Sequence, residues 1–134
     1  MKMGRVAVAM ATTLMVMTVS MMQGAEAQGP SCLTVSGAGA PFSDATAVVQ
    51  QLRVMPGQCC HSGGGFCTVV LTSGNAAASV CATNSVCPNC ADVGNDLNQV
   101  LAQCNVLNEV QGVYSPDGTS DELFYLTSAS QVPS

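Results

Sequence analysis

Eight cysteines, Cys32, Cys59, Cys60, Cys67, Cys81, Cys87, Cys90 and Cys104, all lie beyond residue 31 of a 134-residue chain, and their even number is the strongest constraint on what it can fold into. In an oxidising compartment such a set forms disulfides. A domain near this size can bury a core but stays marginal, and each bridge adds about 2–4 kcal/mol. Cys59 and Cys60 are adjacent. The expectation is that they bond to two different partners and tie two parts of the fold to one loop. The rest of the pairing stays open.

The oxidising compartment is itself read from the N-terminus. Lys2 and Arg5 precede an apolar stretch from Val6 to Met22, which is interrupted by Thr12, Thr13, Thr18 and Ser20 and followed by Ala25-Glu26-Ala27. This is the layout of a secretory signal peptide, cleaved between Ala27 and Gln28, and the stretch is too short and too polar for a membrane anchor. Residues 1–27 are therefore read as a leader and 28–134 as one secreted, extracellular domain with no later membrane span. That domain keeps one base, Arg53, against seven acids, a formal charge of minus six. With nothing to displace counterions from phosphates, nucleic acid and anionic membrane surfaces are excluded as partners.

Cys32-Leu-Thr-Val-Ser36 alternates as a first strand after a polar lead-in. Ser43 is placed as the N-cap of a helix ending near Arg53, with Ala45, Val48, Val49 and Leu52 on its apolar face. Phe66 to Thr72 and Ala76 to Thr83 flank the turn Ser73-Gly-Asn75 and read as a hairpin. Cys90, Val93, Leu97, Val100, Leu101, Cys104 and Leu107 advance by threes and fours and mark an amphipathic helix. Its two cysteines fall about 40° apart around the axis, on one face, where they can staple the helix to a sheet. Val110 to Tyr114 and Glu122 to Thr127 make two more strands around the turn at Ser115-Pro-Asp-Gly118, and residues 128–134 are expected to fray. The fold class is α+β, a small antiparallel sheet with two helices packed on one face (a βαββαββ-like sandwich), stapled by disulfides.

Few residues offer chemistry. Cys87-Pro-Asn-Cys90 has the gap of a zinc or redox site, but no second matching pair exists, Pro88 follows the first cysteine, and secretion favours structural disulfides. His61 is the sole histidine, set beside three glycines in a loop, and Gly63 to Gly65 lack the lysine of a phosphate loop. Asp117, Asp121 and Glu122 could form a carboxylate pair or hold calcium, yet the domain has no Trp to line a sugar cleft. Tyr114 or Tyr125 could build a lectin-like surface. No catalytic residue, metal ligand or cofactor is assigned, and the chain is expected not to be an enzyme.

The segments Ala78 to Cys81, Cys87 to Cys104 and Val110 to Tyr114 resemble secreted, cysteine-rich fungal effector and killer-toxin-like proteins. In these a strand ending in cysteine precedes a disulfide-anchored helix and a Gly-containing strand. The resemblance implies a disulfide-stapled α/β sandwich acting outside the cell on another organism's membrane, wall or receptors. The expected function is thus a secreted interaction protein, effector or toxin-like, that binds an extracellular protein or cell-wall component. Two alternatives are a small hydrolase or ligand-binding domain using the Cys59–Gly65 loop with the acidic last hairpin, and a wall-associated structural protein.

Overall fold

The computed structural model describes residues 29–62 and 64–134, so the leader, its Ala27/Gln28 cleavage point and Gly63 lie outside the described residues. The elements run β1 (Gly29–Cys32), β2 (Ala40–Pro41), α1 (Phe42–Arg53), β3 (Cys67–Ser73), β4 (Ala76–Ala82), α2 (Cys90–Gln103), β5 (Asn105–Val106), β6 (Glu109–Val110), β7 (Gly112–Ser115) and β8 (Glu122–Ser128). Five strands form an antiparallel sheet in the order β1-β7-β8-β4-β3, and β2-β6-β5 form a short ribbon beside it. Both helices pack on one face of the larger sheet. This is the expected disulfide-stapled α+β sandwich, with the ribbon as an addition.

The core follows from two periodicities meeting. Ala45, Val48, Val49 and Leu52 line one side of α1, and Cys90, Val93, Leu97, Val100 and Leu101 one side of α2. Against them the sheet presents Ala76, Ala78 and Val80 of β4 and Phe124 and Leu126 of β8, alternate residues that share a face. The helices run antiparallel and touch closely where Gly94 of α2 meets α1. A Cβ at Gly94 would stand 2.6 Å from the Arg53 backbone nitrogen and 2.8 Å from the Leu52 Cβ.

Several local expectations are corrected. The first strand lies at Gly29–Cys32, beginning three residues before and ending four residues before the expected Cys32–Ser36, because its partner β7 fixes the register from Gly29↔Ser115 to Cys32↔Gly112. Ser43 does not cap α1. The cap position is Pro41, with no side-chain cap, and Asp44 instead accepts a 2.8 Å bond from the Asn75 N–H. The second helix stops at Gln103, and Leu107, though in phase with its apolar face, is 93% exposed. The tail is held further than expected: Ser128 is buried in β8 and donates its N–H to the Ala38 carbonyl, and Ala129 donates to Asn75.

Replacing a helical glycine by alanine normally favours the helix by about 1 kcal/mol. At Gly94 the backbone of α1 cannot move aside, so overpacking wins, and Gly94→Ala is expected to lower unfolding free energy by about 1–3 kcal/mol. Gly64→Ala, where an added Cβ meets nothing within 4 Å, is expected to stay within about 0.5 kcal/mol. Urea unfolding of both variants checks this.

Candidate functional site

All eight cysteines are paired: Cys32–Cys104, Cys59–Cys90, Cys60–Cys87 and Cys67–Cys81. Cys59 and Cys60 do take different partners. Both partners, however, sit in the single segment Cys87–Cys90, so the pair makes a double bolt between two segments instead of joining two distant parts to a loop. A backbone ladder reinforces it, with the Cys59 N–H on Pro88 O (2.8 Å), the Cys90 N–H on Gly57 O (3.0 Å) and the His61 N–H on Val86 O (2.9 Å). Cys90 therefore anchors the start of α2 to this loop, and only Cys104, through Cys32 of β1, ties the helix to the sheet. Among the described residues no group of three or more His, Cys, Asp or Glu is placed to hold a metal ion.

The loop holding His61 and the acidic start of β8 share one end of the sheet, where Ala82 donates to Phe66 O and Thr83 to Asp121 O. His61 is turned inward on its own loop, with Nε2 2.8 Å from the Gly65 carbonyl. The carboxylates cluster with α2. Burial raises the Asp96 carboxyl above its ordinary value, and Asp92 and then Glu122 add to the effect. Burial likewise raises Glu122, with Asp117 contributing. Asp117 itself is lowered by accepting the Thr119 N–H and hydroxyl. Burial and mutual repulsion thus disfavour the charged forms of Asp96 and Glu122 at this acidic end.

The opposite end is built differently. After Cys104, β5 and β6 are joined at Leu107 and Asn108, whose φ values of 53° and 64° make a tight reversal with both central residues left-handed. Asn tolerates this conformation, while for a leucine it costs roughly 1–2 kcal/mol. The Asn108 carbonyl accepts the Phe42 N–H (2.9 Å), which fixes the turn against α1. Val106 and Leu107 are 64% and 93% exposed. Beside them opens a cavity of about 350 Å³ lined by Leu33, Thr34, Cys104, Val106, Leu107, Glu109 and Gln111.

Gln111 forms the partition between this cavity and a second one. Its backbone carbonyl accepts the Leu33 N–H (3.1 Å), and its side-chain amide then acts as a surrogate strand for Val35, with Oε1 accepting the Val35 N–H (3.0 Å) and Nε2 donating to Val35 O (2.9 Å). The chain from Leu33 to Val35 is thereby held out as a wall. On its far side, a cavity of about 160 Å³ is lined by Leu33, Val35, Ala38, Gln111, Tyr125, Thr127, Gln131 and Pro133. Of the two tyrosines considered from sequence, Tyr125 lines this cavity, whereas Tyr114 packs against the helix-side core. Neither cavity includes His61, Asp117, Asp121 or Glu122.

Sequence reasoning missed the Leu107 tip and Gln111. The signal for the tip was present in Asn108, a residue favoured in left-handed turns, but the helical phase of Leu107 masked it. Comparison of the chain with family models, curated proteins and solved structures finds no match.

Two predictions follow from the bolt and the acidic end. Chain-entropy estimates give about 4 kcal/mol for Cys32–Cys104, which closes a 72-residue separation. Once Cys59–Cys90 is formed, Cys60–Cys87 closes only a few residues and is worth about 2 kcal/mol. Removing both cysteines of each pair by alanine should reproduce that order in urea unfolding. For the acidic end, the native chain holds protons on Asp96 and Glu122 to higher pH than the unfolded chain does. Stability from these groups therefore falls as pH rises from the ordinary carboxylate range through their raised values. Glu122→Gln is expected to raise the urea midpoint at pH 7 and to lose that advantage toward pH 3; an advantage independent of pH would refute the assignment.

Proposed function

We propose that the chain is a secreted interaction protein, effector or toxin-like, that acts outside the cell by binding rather than catalysis. The observation that carries this reading is Leu107. A large apolar side chain stands 93% exposed in a left-handed backbone conformation, at the tip of a ribbon anchored by the neighbouring Cys104 disulfide. Glycine at that position would relieve the strain, and a polar residue would relieve the exposure. A costly residue held rigidly into solvent beside a groove is the arrangement of a contact residue, since strain of this kind gathers where a surface is used. The four disulfides fit the same reading, because a binder exposed to an extracellular environment gains from a scaffold that resists unfolding and proteolysis. The partner is an extracellular protein or a wall component of another cell.

The test separates binding from stability. Leu107→Gly removes the side chain and fits the turn, so it should raise unfolding free energy by about 1 kcal/mol. Purified, oxidised protein beginning at Gln28 would be fluorescently labelled and titrated onto intact cells of competing microbes and of any plant or animal the producing organism grows on. Saturable binding by the native protein, lowered at least tenfold in Leu107→Gly, is the expected outcome. Binding that survives the substitution would remove the tip from the contact surface. Turnover of a glycoside, ester or peptide substrate that is abolished in His61→Ala would overturn the reading in favour of an enzyme.

A further inference from the structure

The four disulfides are not equally accessible. Cys59 and Cys90 are 5% and 2% exposed, Cys81 is fully buried and Cys104 is 2% exposed, so three of the bridges keep at least one cysteine in the interior. Cys32, the outer half of the bridge to Cys104, holds its sulfur 3.6 Å from the Gln103 carbonyl. Cys60–Cys87 differs from all of them: Cys60 is half-buried, Cys87 is exposed, and neither belongs to the core. Thiol–disulfide exchange requires a thiolate to reach one of the two sulfurs, so access decides which bridge reacts.

The same bridge is also the one the fold can do without. Cys59–Cys90 lies beside it and links the same two segments. The bonds from Cys59 N–H to Pro88 O, His61 N–H to Val86 O and Cys90 N–H to Gly57 O hold those segments together as well, and Gln58 pairs with Asn89 between them. Breaking Cys60–Cys87 therefore frees no length of chain, and the two cysteines stay within reach of each other. Cys32–Cys104, by contrast, is the only disulfide joining α2 to the sheet.

We propose that Cys60–Cys87 is a thiol–disulfide exchange site whose ligand is a cysteine thiolate of an extracellular partner. The incoming thiolate attacks the exposed Cys87 sulfur. A bond forms between the partner sulfur and Cys87, the Cys60–Cys87 bond breaks, and its electron pair leaves on Cys60, which takes a proton from water. One disulfide is lost and one is made, so the step needs no further oxidant or reductant. Reversal is built in. Cys60, kept beside Cys87 by the neighbouring bridge and the backbone bonds, acts at an effective concentration on the order of millimolar or more. It recloses the bridge and expels a thiol that has no other hold on the protein, whereas a thiol on a partner that is also bound by surface contacts is retained. The exchange chemistry stands on this geometry alone, and only the partner rests on the reading of the protein as an extracellular binder.

The experiment incubates oxidised protein beginning at Gln28 with rising concentrations of cysteamine, whose positive charge the acidic domain does not repel, then traps free thiols with N-ethylmaleimide and maps them by peptide mass. Cys60 and Cys87 are expected to be the first residues to carry cysteamine or the label, at about one tenth of the thiol concentration that opens any other bridge. Cys60→Ala removes the resealing thiol. Treated with cystamine, its Cys87 is expected to keep the cysteamine after free reagent is washed away, while the adduct on native protein recloses on the same wash. If Cys60→Ala does not fold, the order of opening in the native protein decides the matter. The proposal is overturned if another bridge opens at the same or a lower cysteamine concentration, if all four open together, if Cys87 of folded Cys60→Ala takes up no cysteamine, or if the native adduct lasts as long as that of the variant. Exchange at Cys87 without any Leu107-dependent cell binding would count against the reading as a binder and leave the exchange site standing.

Discussion

Strand β4 is buried along its whole length, and everything else in the sandwich is arranged around that fact. Its sequence Ala-Ala-Ala-Ser-Val-Cys-Ala is mostly small side chains, so α1 can lie close against Ala76, Ala78 and Val80 without a gap. On its other side it pairs with β8 over seven successive residues, which fixes the register of Phe124 and Leu126 beneath α2. A larger residue at Ala76 or Ala78 would lift α1 and, through Gly94, α2 with it, because interiors at native density transmit volume changes. The Cys67–Cys81 bond then secures β3 to the same strand. This interior strand sets the layer spacing, and the Cys67–Cys81 disulfide holds the edge strand β3 to it.

Much of this was legible in the sequence, and the exceptions have physical reasons. The second helix could be read because its buried positions are apolar and its outward ones polar, a contrast that survives any tertiary context. Leu107 continued the same phase by coincidence. The helix ends at Cys104, which is held by Cys32 of β1, and the chain turns away into β5 before Leu107 is reached. The first strand was misplaced because its edge position leaves one side to solvent, and its pairing is decided by β7, not by its own alternation. The face of each tyrosine could not be assigned either: the sheet carries uncharged residues on both sides, so alternation there gives a period without a direction. Ser43 and Asp44 show local rules yielding to tertiary ones, since the carboxylate near the helix start is committed to the β3–β4 turn.

Gln111 shows how little sequence is needed to build a surface. One residue interrupts the run from β6 to β7, and in exchange its side-chain amide replaces a peptide group in the ladder to Val35. Without that pairing the Leu33–Val35 segment would have unpaired backbone groups at the sheet edge, a costly arrangement unless water supplies the bonds. With it, the segment becomes a rigid wall with an apolar residue on each side. Two cavities exist because that wall stands between them. A polar residue is thus responsible for a largely apolar landscape, which is why composition alone gives no hint of it.

The two ends of the molecule are electrostatically distinct, and α2 sets their separation. Asp92 sits in its first turn, where the positive end of the helix dipole favours an acid, and Asp96, Glu122 and Asp117 gather nearby. Along the helix, Asp92 lies about 18 Å and Asp96 about 12 Å from Cys104. At physiological ionic strength both spans exceed one Debye length of about 8 Å, so the field of the cluster is weakened before it reaches Leu107. The end that carries the apolar tip holds one acid, Glu109 in the lining of the cavity beside Leu107, against the several gathered near the start of α2. Most of the charge and the exposed tip thus lie toward opposite ends of one helix.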